Sequence, residues 1–368
     1  MKLNIFLVSI FSLITILFSC ENKEEIHSLE TKEDSHFIDN QYAQAFKIIK
    51  HEHYTEIQII NPENNTVEFR YGIGDKLAEN ITPIKSNLSR IIPLSATHIG
   101  MMSELNLLEK IVGVSSKQYL CDNFLIKEVE MGSISSIGDI GQGDVEAYVA
   151  AKPDLIIFSG FDTKAPILKK LKAAGITTFT NYDWKETHPL GRAEWLKVYG
   201  ILFDKEKEAN IIFEAICDKY NALKEKTKAL SHKPSVLVGT MYGDVFNAPA
   251  GESYMAQLLK DVNVDYVYKD SKGVGSLSIS LEEVITQNQN VDYWLNVAAI
   301  KKSDILKMND KFSLMNAVKE EKVYSYYKNV NCFWEQSAVQ PDVLLRDFVK
   351  IFHPELVEGD FKFYSKVD

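Results

Sequence analysis

The chain has 368 residues, of which 45% are hydrophobic and 25% are charged, and these are ordinary values for a folded protein. This length is enough for two medium domains or one large one. The formal net charge is −10 and is spread along the chain, and no basic patch with interleaved aromatic residues occurs. An acidic surface repels polyphosphate, so nucleic acid is excluded as a partner class.

The first twenty residues predict export and a lipid anchor. Lys2 precedes an apolar run over residues 5–18, about 14 residues long. A bilayer span needs roughly 20 residues, so this run is typical of a signal peptide. Ser19 followed by Cys20 resembles the bacterial lipobox, in which the cysteine becomes the lipidated first residue. We therefore predict a signal peptide at 1–19 and lipidation at Cys20, the alternative being a cleaved signal with a coincidental cysteine.

Two further segments precede the main body. Residues 20–40 are charged and poor in apolar side chains, which predicts a flexible tether because such a stretch cannot bury enough surface to offset its chain entropy. Residues 41–87 then predict a small antiparallel β leader. Its strand-like runs are 46–49, 55–60 and 66–71. Glu24-Glu25 resembles the surface-export signals of some Bacteroidota lipoproteins, so the anchor is expected to face the periplasm or the cell surface.

The main body alternates short apolar strands with helices, the pattern of a parallel sheet covered on both faces. This pattern predicts one α/β lobe at 88–190 and a second at 233–368, joined by connecting helices at 191–232. Within the connection, residues 205–230 place apolar side chains three and four apart, which predicts a helix of about 26 residues and roughly 40 Å. The predicted fold class is therefore α/β, with two Rossmann-like lobes joined by one long rigid helix.

Three cysteines lie beyond Cys20, namely Cys121, Cys217 and Cys332. They allow at most one disulfide, and separate buried thiols are the alternative. None has the close spacing of a metal-binding knuckle.

Four stretches resemble the periplasmic binding proteins that serve ABC importers of iron-siderophores, haem and cobalamin. They are residues 90–98, 111–115, 137–157 and 279–284. The resemblance covers roughly residues 88–353, and the leader is similar to that of Bacteroidota members. It implies a monomeric binding protein without catalytic residues or a resident cofactor, which holds a solute between its lobes and works with an ABC permease and its ATPase.

The resemblance also implies where the permease docks. In this family an exposed glutamate on each lobe pairs with arginines of the permease, and Glu146 and Glu282 match these positions by their flanking residues. Each lies in the first turn of a predicted helix, where a carboxylate also complements the helix dipole. The alternative is therefore that both are surface glutamates favoured by the dipole alone.

The loops that follow the strands are where open α/β sheets bind ligands. They are rich in aromatic side chains, against which planar or macrocyclic chelates bury much of their area. The predicted ligand-binding residues are Ser95, Thr97, His98, Tyr119, Phe161, Trp184 and Arg192 in the first lobe, and Tyr242, Phe246, Trp294 and Trp334 in the second. Each aromatic has ordinary core packing as its alternative. Arg192 would pair with a carboxylate of the ligand or, alternatively, with Glu194.

The predicted cargo is a metal chelate, with an iron-siderophore as first choice and cobalamin or haem as alternatives. Haem would be held by His98, by His188 or by neither. A bare-metal site needs three or four converging ligands, and few histidines lie in suitable loops. The glycines at 138–143 match neither a dinucleotide fingerprint nor a phosphate loop, so an enzyme is not predicted. A surface lipoprotein that binds its ligand without transport is the remaining alternative.

Overall fold

The computed structural model describes residues 36–140, 143–161 and 163–368. The predicted signal peptide, Cys20 and residues 20–35 of the predicted tether lie outside the described residues. The leader strands are β1 (His36–Ile38), β2 (Phe46–Lys50), β3 (Tyr54–Asn61), β4 (Thr66–Gly74) and β5 (Thr82–Ile84).

The leader is a five-stranded sheet in the order β1-β2-β3-β4-β5. Neighbouring strands run antiparallel except β4 and β5, which are parallel. β1 lies inside the predicted tether, so the tether is shorter than the sequence indicated. The reason is that Phe37 and Ile38 pair with Ile49 and Ile48 of β2, which supplies partners for their backbone groups.

Two buried carboxylates attach the start of the leader to the rest of the molecule. Glu194 accepts hydrogen bonds from the backbone N–H groups of residues 41, 42 and 43, each at 2.8 Å. Glu186 accepts from the N–H groups of Gln44 and Ala45 at 2.8 and 3.0 Å, and from the indole of Trp195 at 3.0 Å. These hydrogen bonds make the leader an integral part of the fold.

The first lobe is a parallel α/β unit. Its elements are β6 (Ile91–Pro93), α1 (Ala96–Glu104), β7 (Gly113–Val114), α2 (Asn123–Glu130), β8 (Ser135–Ser136), α3 (Val145–Ala150), β9 (Leu155–Phe158), α4 (Pro166–Ala173) and β10 (Thr178–Thr180). β9 is the middle strand between β10 and β6, while β7 pairs with β8 and a bridge joins Ile91 to Ile111. The four residues of β9 are all buried, as expected for a strand covered on both faces.

Three helices connect the lobes. They are α5 (Pro189–Glu194), α6 (Leu196–Leu202) and α7 (Glu206–Lys228). The 23 residues of α7 correspond to a length of about 34 Å. Asp204, at φ 56°, separates α6 from α7. The helix α5 was not predicted separately, although Pro189 at its first turn is a common start signal.

The second lobe is also α/β. Its elements are β11 (Ser235–Val238), β12 (Thr240–Tyr242), β13 (Val245–Pro249), α8 (Tyr254–Asp261), β14 (Asp265–Tyr266), β15 (Ser276–Ser280), α9 (Leu281–Gln287), β16 (Tyr293–Leu295), α10 (Lys302–Met308), α11 (Asn316–Lys319), β17 (Val323–Ser325), α12 (Val330–Gln336), α13 (Pro341–Phe352) and β18 (Ser365–Lys366). The main sheet has the order β14-β11-β16-β17-β18 and is parallel except for β18.

A small antiparallel sheet of β12, β13 and β15 stands beside the main sheet of the second lobe. The sequence did not predict it, because β15 is separated from β13 by α8 and pairs only through the tertiary fold. The predicted fold class is nevertheless confirmed, with two Rossmann-like lobes, a long connecting helix and an N-terminal β leader.

Candidate ligand-binding cleft

The loops at the carboxyl ends of the parallel strands form the candidate site. β6 and β9 lead into residues 94–98 and 159–161 of the first lobe, and β11 leads into β12 of the second lobe. Because parallel strands end at the same edge of their sheet, the side chains of these loops lie on one face of each lobe.

A buried polar network lies at the start of α1. The hydroxyls of Ser95 and Thr97 are 3.1 Å apart, and Thr97 donates to Oδ1 of Asp183 at 3.2 Å. Oδ2 of Asp183 in turn accepts from Arg192 at 3.0 Å. The side chain of Ser95 does not cap α1. Of the predicted site residues of this loop, Ser95 and Thr97 are joined in one chain of hydrogen bonds with Asp183.

Arg192 is almost completely buried and contacts both lobes. Besides its pair with Asp183, its guanidinium lies over the ring of Tyr254, the first residue of α8, at 4.4 Å. The alternative of a pair with Glu194 is wrong, because Glu194 binds Lys197 at 2.7 Å and the leader backbone. Arg192 thus stabilises the junction of the two lobes through a charge pair and a cation–π contact.

Of the two candidate histidines, His98 is enclosed, whereas His188 is only half-buried. His98 is fully buried, and neither ring nitrogen makes a hydrogen bond of good geometry. Burial lowers the pKa of His98 to about 4, although Asp183 and the Ile157 carbonyl oppose the shift. His188 accepts from the Leu190 N–H at 3.1 Å and stacks on Tyr42. Within the part of the chain that the structure describes, no group of three His, Cys, Asp or Glu side chains could hold a metal ion.

A cavity of about 270 Å³ lies on the cleft side of the second lobe. Its walls combine aromatic rings with hydroxyl and amide groups. The lining residues are Gly239, Thr240, Asn247, Ala248, Pro249, Ser253, Tyr254, Met255, Val274, Gly275, Ser276, Asn296, Tyr326, Phe333 and Trp334. Tyr326 and Phe333 stack in parallel with ring centroids 3.9 Å apart, which gives this wall a rigid, flat aromatic surface.

Some of these lining residues were missed by sequence reasoning. Asn247 and Ser276 belong to the small antiparallel sheet, which was not predicted, so no signal pointed to them. Tyr326 had a usable signal, because it directly follows the strand β17. Trp334 was predicted, and the structure places it in the cavity wall with 42% of its surface exposed.

Three other predicted aromatic residues are strongly exposed. Tyr119 is 50% exposed, Phe161 75% and Tyr242 83%. Phe161 packs on Trp184 with ring centroids 4.5 Å apart, and the Trp184 indole donates to the Ser159 carbonyl at 2.6 Å. Rings of this size in water are costly unless a partner covers them, so these residues remain good candidates for ligand contact.

The prediction that Phe246 and Trp294 contact the ligand is wrong. Both are 0% exposed and belong to the core of the second lobe. Trp294 donates to the Gly239 carbonyl at 2.9 Å and packs against Phe312. Neither side chain presents any surface to the cleft. For Phe246 and Trp294 the alternative of ordinary core packing is therefore the correct one.

A disulfide between Cys121 and Cys332 joins the first lobe to α12. Asn331 donates to the carbonyls of Gln118 and Leu120 at 2.8 and 3.0 Å beside it. Glu335 accepts from the Cys121 N–H at 2.9 Å, and burial raises the pKa of its carboxyl. Of the alternatives left open by the sequence, one disulfide is therefore the correct one, and Cys217 is a buried free thiol.

The remaining predicted positions lie away from the cleft residues. Glu146 in α3 and Glu282 in α9 are both exposed and both lie in the first turn of their helices.

A larger cavity of about 910 Å³ lies between leader residues 41–44 and α8. It is lined by mixed charges and is not placed at the strand ends, so size alone does not make it the ligand site.

Two α/β lobes, a long connecting helix and an aromatic cavity between strand ends define a two-lobed solute-binding protein. The chain belongs to the periplasmic binding protein family, whose sequence model matches residues 91–330. The family and the similar solved structures are binding proteins, not enzymes. Within residues 36–140, 143–161 and 163–368, no helix is long and apolar enough to cross a membrane.

Among relatives, an uncharacterized lipoprotein of Methanocaldococcus jannaschii is 28% identical over 298 residues, which cover 77% of this chain and 70% of that protein. A periplasmic haem-binding protein of Pseudomonas aeruginosa has a TM-score of 0.61 at 15% identity, covering 76% and 98% of the two chains. The molybdate-binding protein MolA of Haemophilus influenzae has a TM-score of 0.56 at 16% identity, covering 74% and 88%. At these identities the solved structures establish the fold and leave the ligand open.

Proposed function

We propose that this protein is the lipid-anchored solute-binding component of an ABC importer. It captures a metal chelate between its two lobes and delivers it to the inner-membrane permease and its ATPase. The observation that carries this proposal is the aromatic character of both sides of the cleft, with Tyr119 and Phe161 exposed on one lobe and Trp334 in the cavity wall of the other. An iron-siderophore is the first choice of cargo, with cobalamin or haem as the alternatives.

The size and chemistry of the cleft support a large planar or macrocyclic ligand. Each aromatic side chain can bury about 150–250 Å² against such a ligand. The cavity of about 270 Å³ would hold one edge of the ligand, and the rest of the ligand would lie between the lobes. Haem would have to bind without axial ligation from His98, because that imidazole is enclosed. A surface lipoprotein without a transport partner would use the same cleft and differ only in lacking dependence on a permease.

The cargo is tested by titrating the purified protein with a ferric siderophore, cobalamin and haem while its tryptophan fluorescence is recorded. We expect one of the three to quench the fluorescence, and Phe161→Ala to weaken that binding about tenfold, because a central aromatic contact contributes more than 1 kcal/mol. Phe124→Ala removes an exposed aromatic of α2 and should leave the affinity unchanged. Absence of quenching with all three ligands would refute the chelate assignment.

The anchor is tested separately at Cys20. Cells that express the protein are labelled with a fatty acid, and we expect label on the wild type and none on Cys20→Ser, since the thiol is the proposed acceptor. Cys217→Ser is the matched control, because it removes a buried thiol and should keep the label. Equal labelling of Cys20→Ser and wild type would show that the anchor assignment is wrong.

A further inference from the structure

We propose that the cleft selects a chelate that carries no net charge. This inference rests on the proposed function and narrows its ligand class. Its main observation is the cavity of the second lobe, because none of its fifteen lining residues is Lys, Arg, His, Asp or Glu. The polar groups it offers are hydroxyls and amides. They belong to Thr240, Asn247, Ser253, Tyr254, Ser276, Asn296 and Tyr326.

The charged residue of the predicted site is already neutralised. Arg192 pairs with Asp183 at 3.0 Å, its guanidinium is covered by Tyr254, and its side chain is only 6% exposed. The pair therefore contributes no net charge to the cleft. His98, whose pKa burial lowers to about 4, is uncharged at neutral pH and enclosed.

Two lysines that adjoin predicted aromatic residues of the first lobe also have partners. Lys117, two residues before Tyr119, binds Glu130 at 3.0 Å. Lys185 lies over the ring of Trp184 at 5.4 Å and is 3.5 Å from Glu63 of the leader. The first-lobe residues that do face the cleft offer the hydroxyls of Ser95 and Thr97 and the exposed aromatic faces.

This environment disfavours an anionic ligand for a simple reason. A charged group that leaves water for a site without a counter-charge loses its hydration with no compensation, whereas neutral oxygens can accept hydrogen bonds from hydroxyls and amides. The net charge of −10 adds a long-range repulsion of anions. A ferric trihydroxamate fits, because its three hydroxamates balance Fe³⁺. A ferric tricatecholate is trianionic, haem carries propionates, and molybdate is a dianion, so all three fit poorly.

The test is a calorimetric titration of the full chain with these four probes at neutral pH and fixed ionic strength. We expect the ferric trihydroxamate to bind at least about 100-fold more tightly than the ferric tricatecholate, haem or molybdate, the size of penalty expected for an uncompensated buried charge. Equal or tighter binding of an anionic probe would overturn the charge inference while leaving the solute-binding role intact. No binding of any chelate would instead overturn the proposed cargo, and this inference with it.

A cation placed in the cavity tests the mechanism directly. Asn247→Lys should raise the affinity for the ferric tricatecholate about tenfold relative to that for the trihydroxamate. Ser278→Lys adds the same charge on β15 at an exposed position outside the cavity lining and should preserve the original ratio. Ser276→Lys, at an exposed lining position, is the second variant if Asn247→Lys does not fold by circular dichroism. An unchanged ratio of the two affinities in a folded lysine variant would show that charge does not set the selectivity.

Discussion

Glu186 and His98 are buried side chains whose pKa shifts give the fold opposite responses to pH. Burial raises the pKa of Glu186 to about 7 from 4.5, against the three N–H donors that favour its charged form. Its contribution to stability is therefore fully present below about pH 4.5 and is lost as the pH rises through 7. His98 behaves in the opposite sense, because its lowered pKa means that stability falls as the pH drops from about 6.5 to 4.

The effects of Glu186 and His98 on the pH dependence of stability oppose each other. The contribution of Glu186 to the free energy of unfolding is therefore measured as the difference between the wild type and a Glu186 variant. We expect the free energy of unfolding of the wild type, relative to that of Glu186→Gln, to fall by about 3 kcal/mol between pH 4.5 and 7.5. The measurement is urea denaturation at a series of pH values. A parallel pH profile for wild type and Glu186→Gln would contradict the assignment.

At the residue scale, exposure could be anticipated better than partners. Tyr119 and Trp334 are 50% and 42% exposed, and their contact with a ligand stays a prediction. Arg192 pairs with Asp183, nine residues earlier, a partner that was not predicted. No local pattern indicates this, because the 3₁₀ turn at Asp183–Lys185 aims the carboxylate only once α5 has packed.

At the scale of elements, α12 is the segment whose role the sequence did not predict. It belongs by sequence to the second lobe but crosses α1 of the first lobe so closely that a Cβ on Gly100 would lie 1.7 Å from the Glu335 carbonyl oxygen. The Cys121–Cys332 disulfide and the Asn331 hydrogen bonds reinforce this crossing. The disulfide therefore joins two segments that the sequence assigns to different lobes.

We expect loss of this link to lower stability without unfolding the lobes. The disulfide closes a loop with a sequence separation of 211 residues, so Cys121→Ser with Cys332→Ser should reduce the free energy of unfolding by about 4 kcal/mol. The measurement is denaturant unfolding with and without reductant. Reductant should bring the wild type to the level of the double variant and should have no effect on that variant. A wild type that reductant leaves unchanged would rule out the cross-link.

At the scale of the whole molecule, the two glutamates that are predicted to dock the permease lie on different lobes. Glu146 lies on α3 of the first lobe and Glu282 on α9 of the second lobe. A permease that bound both glutamates would contact both lobes at once. The connecting helix α7 buries one stripe, including Phe213, Ile216 and Tyr220, and so holds the lobes at a fixed separation.

We expect Glu146→Arg combined with Glu282→Arg to abolish uptake while the affinity for the ligand stays within about twofold, since both side chains are exposed outside the cavity lining. The measurements are uptake of labelled chelate by cells and titration of the purified protein. Glu283→Arg combined with Glu109→Arg makes the same charge change at one other exposed glutamate of each lobe and should retain uptake. Undiminished uptake by the first pair would show that the docking assignment is wrong.

The sequence by itself determined the alternation of strands and helices in the two lobes, the long connecting helix and the aromatic side chains of the loops that follow the strands. These depend on local periodicity, start and stop residues, and the general rule that places ligands at the carboxyl ends of parallel strands. Only the tertiary structure decided which cysteines pair, that Arg192 is neutralised by Asp183, and that the cavity wall carries no charge. Those features depend on segments far apart in the chain, whose proximity is set by packing and not by neighbouring residues.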